Sequence, residues 1–274
     1  MKYLLLLPSF IFYLLFTIWP LIKVFELSLF KTNFITSSFV GFDNYINSFQ
    51  DQAFIQSVIN SVFYVIVLVP SQILVSLSFA LLLYRMSRKW QDISRIFIYL
   101  PTLSAGIIIA SLWRWVFHFN GLANWLIGLF GLKPVEWFGG FFTAIPTISF
   151  IVVFASFGAN VILFLSSIQG ISKEYLEAAT IDGANWFQIK RFIILPMIKP
   201  TILMIGMLSA IAALMIYETI FYLAPYEYSS TITYQIYKQG FQFGKYGMAS
   251  AQAILLLFVS IGLFMVKKRF EKND

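Results

Sequence analysis

The sequence contains no cysteine, a single histidine and little charge: Asp, Glu, Lys and Arg together make up 11% of its 274 residues. Without cysteine there is no disulfide framework, no thiolate nucleophile and no cysteine-based zinc or iron–sulfur site. The lone His118 stands beside Trp113, Arg114 and Trp115 with no carboxylate cluster to help it hold a metal, and it reads as an interfacial residue. No Gly-x-x-x-x-Gly-Lys-Ser/Thr stretch occurs, so the chain grips no nucleotide through a P-loop and is not its own motor. No Ser/His/Asp or paired-carboxylate cluster marks a membrane-bound hydrolase. So little charge, against about 25% in ordinary soluble domains, cannot cover a water-soluble globule of this size. What is present is apolar: 59% of residues are hydrophobic and the mean hydropathy is +0.82. A soluble enzyme, a disordered tail and a disulfide scaffold are excluded, and a polytopic membrane protein remains.

Because a bilayer core takes about 20 mostly apolar residues as helix, charge-poor stretches mark the crossings. They lie within Tyr3 to Ile22, Gln52 to Tyr84, Ile96 to Trp113, Trp137 to Ser172, Pro200 to Tyr217 and Tyr246 to Val266. The second and fourth exceed one crossing, so their helices are expected over about 57–83 and 144–168. Lys2 precedes the first apolar run as in a signal peptide, but no small-residue cleavage site follows and the run continues to Trp19-Pro20, which predicts an uncleaved first span. Pro70, Pro101 and Pro146 fall in or near spans, where proline frees carbonyls and bends helices, for kinked packing or for a bend lining a path.

Six crossings put both termini on one side. Thirteen of the 19 basic residues lie there, in Lys2, the Arg85–Arg95 segment, the Lys173–Lys199 segment and the carboxyl-terminal Lys267, Lys268, Arg269 and Lys272. The acidic residues divide evenly, so the whole +7 excess belongs to that face, which the positive-inside rule makes cytoplasmic. A basic chain suggests nucleic acid only when a soluble domain carries a basic face; here the partner is the lipid bilayer, and no nucleic acid is expected. The middles of the spans hold no ionisable residue, since Lys23, Glu26, Arg114 and Glu218 lie near ends. Proton-driven carriers need such residues as relays, and no inverted halves are visible.

Between Gln169 and Lys199 the composition changes to GISKEYLEAATIDGANWFQIKRFIILPMIK. Ser172 suits a helix N-cap and Glu174 a first turn. Tyr175 through Thr180 then form a short helix with a small-residue surface, which Gly183 ends in a left-handed cap. Asp182 or Asn185 starts a second helix from Trp186 through Ile194, and Pro196 and Pro200 shape the start of span five. A two-turn helix with alanines where a neighbour approaches reads as a docking element or as an ordinary interfacial loop.

Glu177-Ala178-Ala179, Gly183, Ile193, Leu195 and Pro196 resemble the EAA loop of membrane subunits of binding-protein-dependent ABC importers. The stretch from Leu176 to Thr201 is similar to the carbohydrate branch, typified by maltose and glycerol-phosphate permeases. Other pieces of that branch recur in order: Ile18-Trp19-Pro20, Ser28, Phe39 through Tyr45, Asn60-Ser61, and Arg95 to Pro101 leading to Trp113. Two departures stand out. Leu223-Ala224-Pro225-Tyr226 replaces the family's Gly-Gly-Pro turn, and the large extracytoplasmic insertion of maltose-type long subunits is missing.

The resemblance implies an all-α type I ABC importer permease of six transmembrane helices, a single domain over 1–274 with its coupling loop at 170–199, in a prokaryotic cytoplasmic membrane. It implies four kinds of neighbour: a second homologous permease making a heterodimer, two ATP-binding subunits, an extracytoplasmic solute-binding protein, and lipid. No cofactor or metal is held by this chain, ATP and Mg belonging to the partner ATPase. The coupling residues it implies are Tyr175, Leu176, Glu177, Ala178, Ala179, Asp182 and Gly183: the acid for a charge-assisted bond, the alanines for close approach and the glycine for the angle. For the solute path, polar residues within spans are better candidates than any single aromatic, since burial in hydrocarbon needs a reason. These are Asn60, Gln72, Asn160, Tyr217 and Glu218, as cavity lining or as helix-to-helix hydrogen bonds. A permease for glycerol phosphate or a polyamine, and a carrier or channel working without ATP, stay open beside the sugar reading.

Overall fold

The computed structural model describes residues 7–33, 35–224 and 226–272. Lys2, Tyr3 at the expected start of span one, Pro225 and Asp274 fall outside them. Among the described residues, four helices are long and apolar enough to cross a membrane unbroken: Leu7–Ser28, Gln52–Tyr84, Phe141–Gln169 and Tyr246–Met265. Two bent pairs complete six crossings, Arg88–Leu103 with Gly106–Val116 at 96° and Trp186–Met197 with Lys199–Leu214 at 67°. These are spans one to six in chain order, with the bent pairs third and fifth.

The third span corrects the sequence reading, which ran one helix from Ile96 to Trp113. Pro101 removes an amide, and Ser104 and Ala105 take extended backbone (ψ 142° and 140°), so the chain turns before Gly106 begins a new helix. The fifth behaves similarly at both ends. It bends at Ile198, between Pro196 and Pro200, and it stops at Leu214 rather than continuing to Tyr217. Span two instead starts earlier than expected, at Gln52, because the Asp51 carboxylate accepts from Ala53 N at 3.0 Å and caps it. Pro70 and Pro146 sit inside unbroken helices; of the three prolines only Pro101 lies at a break.

Spans two and four form the axis of the molecule. With the side of the loop 170–199 taken as inner, as the charge distribution of the sequence suggests, their outer halves meet in a cluster around Tyr64, Leu68, Ile145 and Ile148 that also takes Ile109 from span three and Ile216 and Ile220 from beyond span five. Their inner halves meet in a second cluster of Leu83, Val161, Phe164 and Ile168, closed by Ile189, Ile194 and Ile198. Trp113 fixes the outer half of span three to span four, its ring centroid 5.1 Å from Phe150 and 5.0 Å from Phe154. On the outer side a short hairpin, Phe30–Thr32 with Ser37–Phe39, and the helix Asp43–Gln50 join spans one and two.

The inner half of span three touches span four through backbone. A Cβ on Gly158 would stand 2.2 Å from the Ile98 carbonyl oxygen, a contact that no side-chain rearrangement relieves. Gly158→Ala is therefore expected to cost about 1–3 kcal/mol and lower the midpoint of thermal unfolding in detergent. Gly262→Ala, where a Cβ meets nothing within 4 Å, should leave that midpoint unchanged or raise it.

Candidate functional site

The loop after span four folds as its residues direct. Ser172 Oγ accepts from Glu174 N at 3.3 Å and opens the helix Lys173–Ile181. Gly183, at φ +79°, closes it, with Ala184 N donating to Ala179 O at 2.9 Å. Asn185 then starts the next helix through a capping box, its Oδ1 accepting from Gln188 N (3.0 Å) while Gln188 Oε1 accepts from Asn185 N (2.7 Å).

The two faces of Lys173–Ile181 differ. Leu176 and Ala179 pack against the chain's own inner cluster, as do Ala184 and Trp186 beyond it. Tyr175, Glu177, Ala178, Ile181 and Asp182 are exposed, and Glu177 has no hydrogen bond or ion pair among the described residues. Ile181, 85% exposed, is an apolar residue of this face that the motif does not single out. A second feature invisible in the motif is the seat of Trp186. Its ring stacks on Tyr84 at 6.2 Å, and the Arg85 guanidinium lies 5.5 Å from its centroid, so the end of span two holds the loop.

The other candidate residues separate into two groups. Asn60 is fully buried, its amide donating to Glu227 O (2.7 Å) and Ser230 O (2.9 Å) while its carbonyl accepts from Gln56. With Tyr64 Oη on Ser229 O and Ser61 Oγ accepting from Ile232 N, it ties span two to the outer loop 227–232. Gln72 is buried between spans two and four, accepting from Ser156 Oγ at 3.1 Å. Asn160 is half-buried and makes no hydrogen bond among the described residues. Tyr217 and Glu218, by contrast, lie together at an opening, with Tyr217 Oη donating to Glu218 Oε1 at 3.3 Å.

That opening is a cavity of about 410 Å³ where the break in span three meets the end of span five. Thr102, Ser104 and Gly106 line it from one side, Tyr217, Glu218 and Thr219 from the other, and Ser156 from span four. Gly106 lets Glu218 approach, since a Cβ there would stand 3.0 Å from Glu218 Oε2. The Thr102 hydroxyl is buried without a partner among the described residues. No Arg, Lys or His lines the cavity. From its rim a row of rings leads away: Tyr217 lies 5.8 Å from Tyr237, which is 5.5 Å from the exposed Phe241. Thr102, Ser104 and Gly106 escaped sequence reasoning because the turn after Pro101 was read as continuous helix. Among the described residues no group of three or more His, Cys, Asp or Glu is placed to hold a metal.

Against known proteins, the model of the binding-protein-dependent transport system inner membrane component family matches residues 50–273. The chain belongs to that family. A trehalose/maltose transport system permease protein, MalF of Thermococcus litoralis, is 30% identical over 96% of this chain and 91% of its own. The probable ABC transporter permease protein YurN of Bacillus subtilis is 29% identical over 99% and 96%. The crystal structure of a bacterial alginate ABC transporter in complex with its pentasaccharide-bound periplasmic protein has the same fold, with TM-score 0.88 at 24% identity over 99% of this chain and 94% of that one. The protein is thus an inner-membrane permease component, and the Glu177-Ala178-Ala179 loop and the broken spans are parts of a permease.

If the seat of Trp186 fixes the loop, Trp186→Ala should release about 1–2 kcal/mol of ring and cation contacts. Amide exchange in Lys173–Ile181 should speed up accordingly. Phe187→Ala, which removes an exposed neighbouring ring, should leave that exchange unchanged.

Proposed function

We propose that this permease forms one half of the pathway of an ATP-driven importer for a neutral carbohydrate or short oligosaccharide. The cavity at the two helix breaks carries the reading. Its polar lining consists of Ser104, Ser156, Tyr217 and Thr219 and the one carboxylate Glu218, with no cation. Sugar hydroxyls donate to a carboxylate and exchange hydrogen bonds with protein hydroxyls. A phosphate or carboxylate solute stripped of water needs a cation and would here meet the Glu218 carboxylate instead, which disfavours glycerol phosphate. The rings leading from Tyr217 through Tyr237 to Phe241 offer apolar faces to successive sugar units. The similarity to a trehalose/maltose permease supports the same class.

In this reading a second, homologous permease completes the pathway, and a binding protein delivers the solute at the outer side. Each permease presents one coupling loop to one of two ATP-binding subunits, which hold ATP and Mg. The exposed face of Lys173–Ile181 suits that contact: Tyr175, Ala178 and Ile181 give an apolar surface, and Glu177 and Asp182 supply free acceptors for basic groups or backbone amides. Both termini then lie in the cytoplasm, with the inner basic excess.

Two outcomes test this. With a panel of radiolabelled sugars, polyamines and glycerol phosphate, wild-type vesicles should accumulate a sugar, and Glu218→Ala should weaken that uptake by about 1–3 kcal/mol of lost hydrogen bonding while leaving protein levels intact. Preference for a charged solute would overturn the assignment. Glu177→Ala or Gly183→Val should insert normally and leave the binding protein's affinity unchanged, yet reduce uptake and stimulated ATP hydrolysis together. Normal uptake with both substitutions would remove the coupling role.

A further inference from the structure

A third polar cluster lies apart from both the coupling face and the solute cavity, where the inner end of span three meets the last turn of span four. The Arg95 guanidinium stands 3.3 Å from Asp92 Oδ1 and donates to Gln169 Oε1 at 3.3 Å. Gln169 Nε2 donates to Gln91 Oε1 at 3.0 Å. Beside this chain opens a cavity of about 400 Å³ lined by five polar residues, Arg88, Gln91, Asp92, Arg95 and Gln169. Two guanidiniums face one carboxylate. Arg95 Nε is buried with no partner, and Arg88, exposed at the mouth, has no hydrogen bond or ion pair, both among the described residues.

A net positive pocket with a spare buried donor suits a group that brings negative charge and several acceptor oxygens. Its place selects the source. Gln169 is the last residue of the fourth crossing helix, so the pocket lies at the membrane boundary, on the face that carries the basic excess. From Arg95 the same helix runs into the span with Ile96, Phe97, Leu100 and Leu103 all exposed, an apolar strip continuous with the pocket. Headgroup and acyl chain of one lipid thus find matching surfaces a turn apart. We propose that this pocket binds the phosphodiester of an anionic phospholipid of the inner leaflet, held by Arg88 and Arg95 and the amides of Gln91 and Gln169, with Asp92 orienting Arg95.

The test titrates the intact transporter, purified with its partner subunits, with phosphatidylglycerol and separately with phosphatidylcholine, reading bound lipid by native mass spectrometry. Arg88→Gln leaves the Arg95 network in place. It should weaken phosphatidylglycerol binding about fivefold, the contribution of one basic residue at an anionic surface, while phosphatidylcholine, whose choline cation offsets its phosphodiester, should bind the wild-type transporter more weakly than phosphatidylglycerol does. Lys89→Gln removes the same charge one residue along but outside the pocket, and should change binding far less. Equal losses in the two variants would mean a diffuse surface potential, and no loss in either would mean no site; each overturns the proposal. Displacement of the lipid by inorganic phosphate would assign the pocket to a free anion. Loss of the ATP-binding subunits from the Arg88→Gln complex, with lipid binding unchanged, would assign it to a protein contact.

Discussion

Inside a bilayer no water is available to satisfy a freed amide or carbonyl, and the architecture of this permease follows from how it meets that demand at the end of span five. Where the helix stops at Leu214 the carbonyls beyond it need donors. Thr233 Oγ1 donates to Leu214 O at 2.7 Å and Thr231 Oγ1 to Ile216 O, so the outer loop and the first turn of the helix after it supply what span five no longer does. The loop is held in turn by span two, through Asn60, Ser61 and Tyr64. Removing any one of these links leaves a buried polar group unpaired, which is the costly direction of hydrogen-bond energetics. An irregular segment can therefore stand at membrane depth, and it is this segment that places Tyr217 and Glu218 at the cavity.

The same economy of contacts ties the inner side to the outer. Span two carries the outer loop at Asn60 and, at its other end, seats Trp186 of the loop after span four against Tyr84 and Arg85. Between them Gln72 joins it to Ser156, which lines the cavity. One helix of 33 residues thus touches the loop 170–199, the cavity wall and the loop that caps the broken span. The helix Lys173–Ile181 is connected to the cavity through packed side chains and hydrogen bonds.

The cavity's chemistry follows from the breaks as well. In a continuous span three Thr102 and Ser104, two residues apart, would point to opposite sides of the helix. The turn before Gly106 instead brings both residues to the wall of the cavity that Glu218 lines, with a glycine leaving room for that carboxylate. A carboxylate at the membrane's outer part is tolerated because it faces this opening and the Tyr217 hydroxyl rather than lipid.

Composition and local pattern by themselves determined the membrane class, the approximate positions of the crossings and most of the local fold of the loop after span four. Long apolar runs need no partner to be recognised, and Ser172, Gly183 and Asn185 act within four residues of their own positions. The same local rules missed the turn before Gly106 and the early start of span two at Asp51. Only the tertiary structure decided which polar residues do what. Asn60 and Glu218 look alike in the sequence as polar residues near span ends. One is fully buried and bonded to carbonyls 167 and 170 residues away, while the other opens onto a cavity. The partition of Lys173–Ile181 into Leu176 and Ala179 against the body and Tyr175, Ala178 and Ile181 outward depends likewise on where the inner cluster lies. Backbone propensity and hydrophobicity are properties of neighbours in the chain, whereas the role of a polar side chain is set by the distant groups that the packing of spans two and four brings to it.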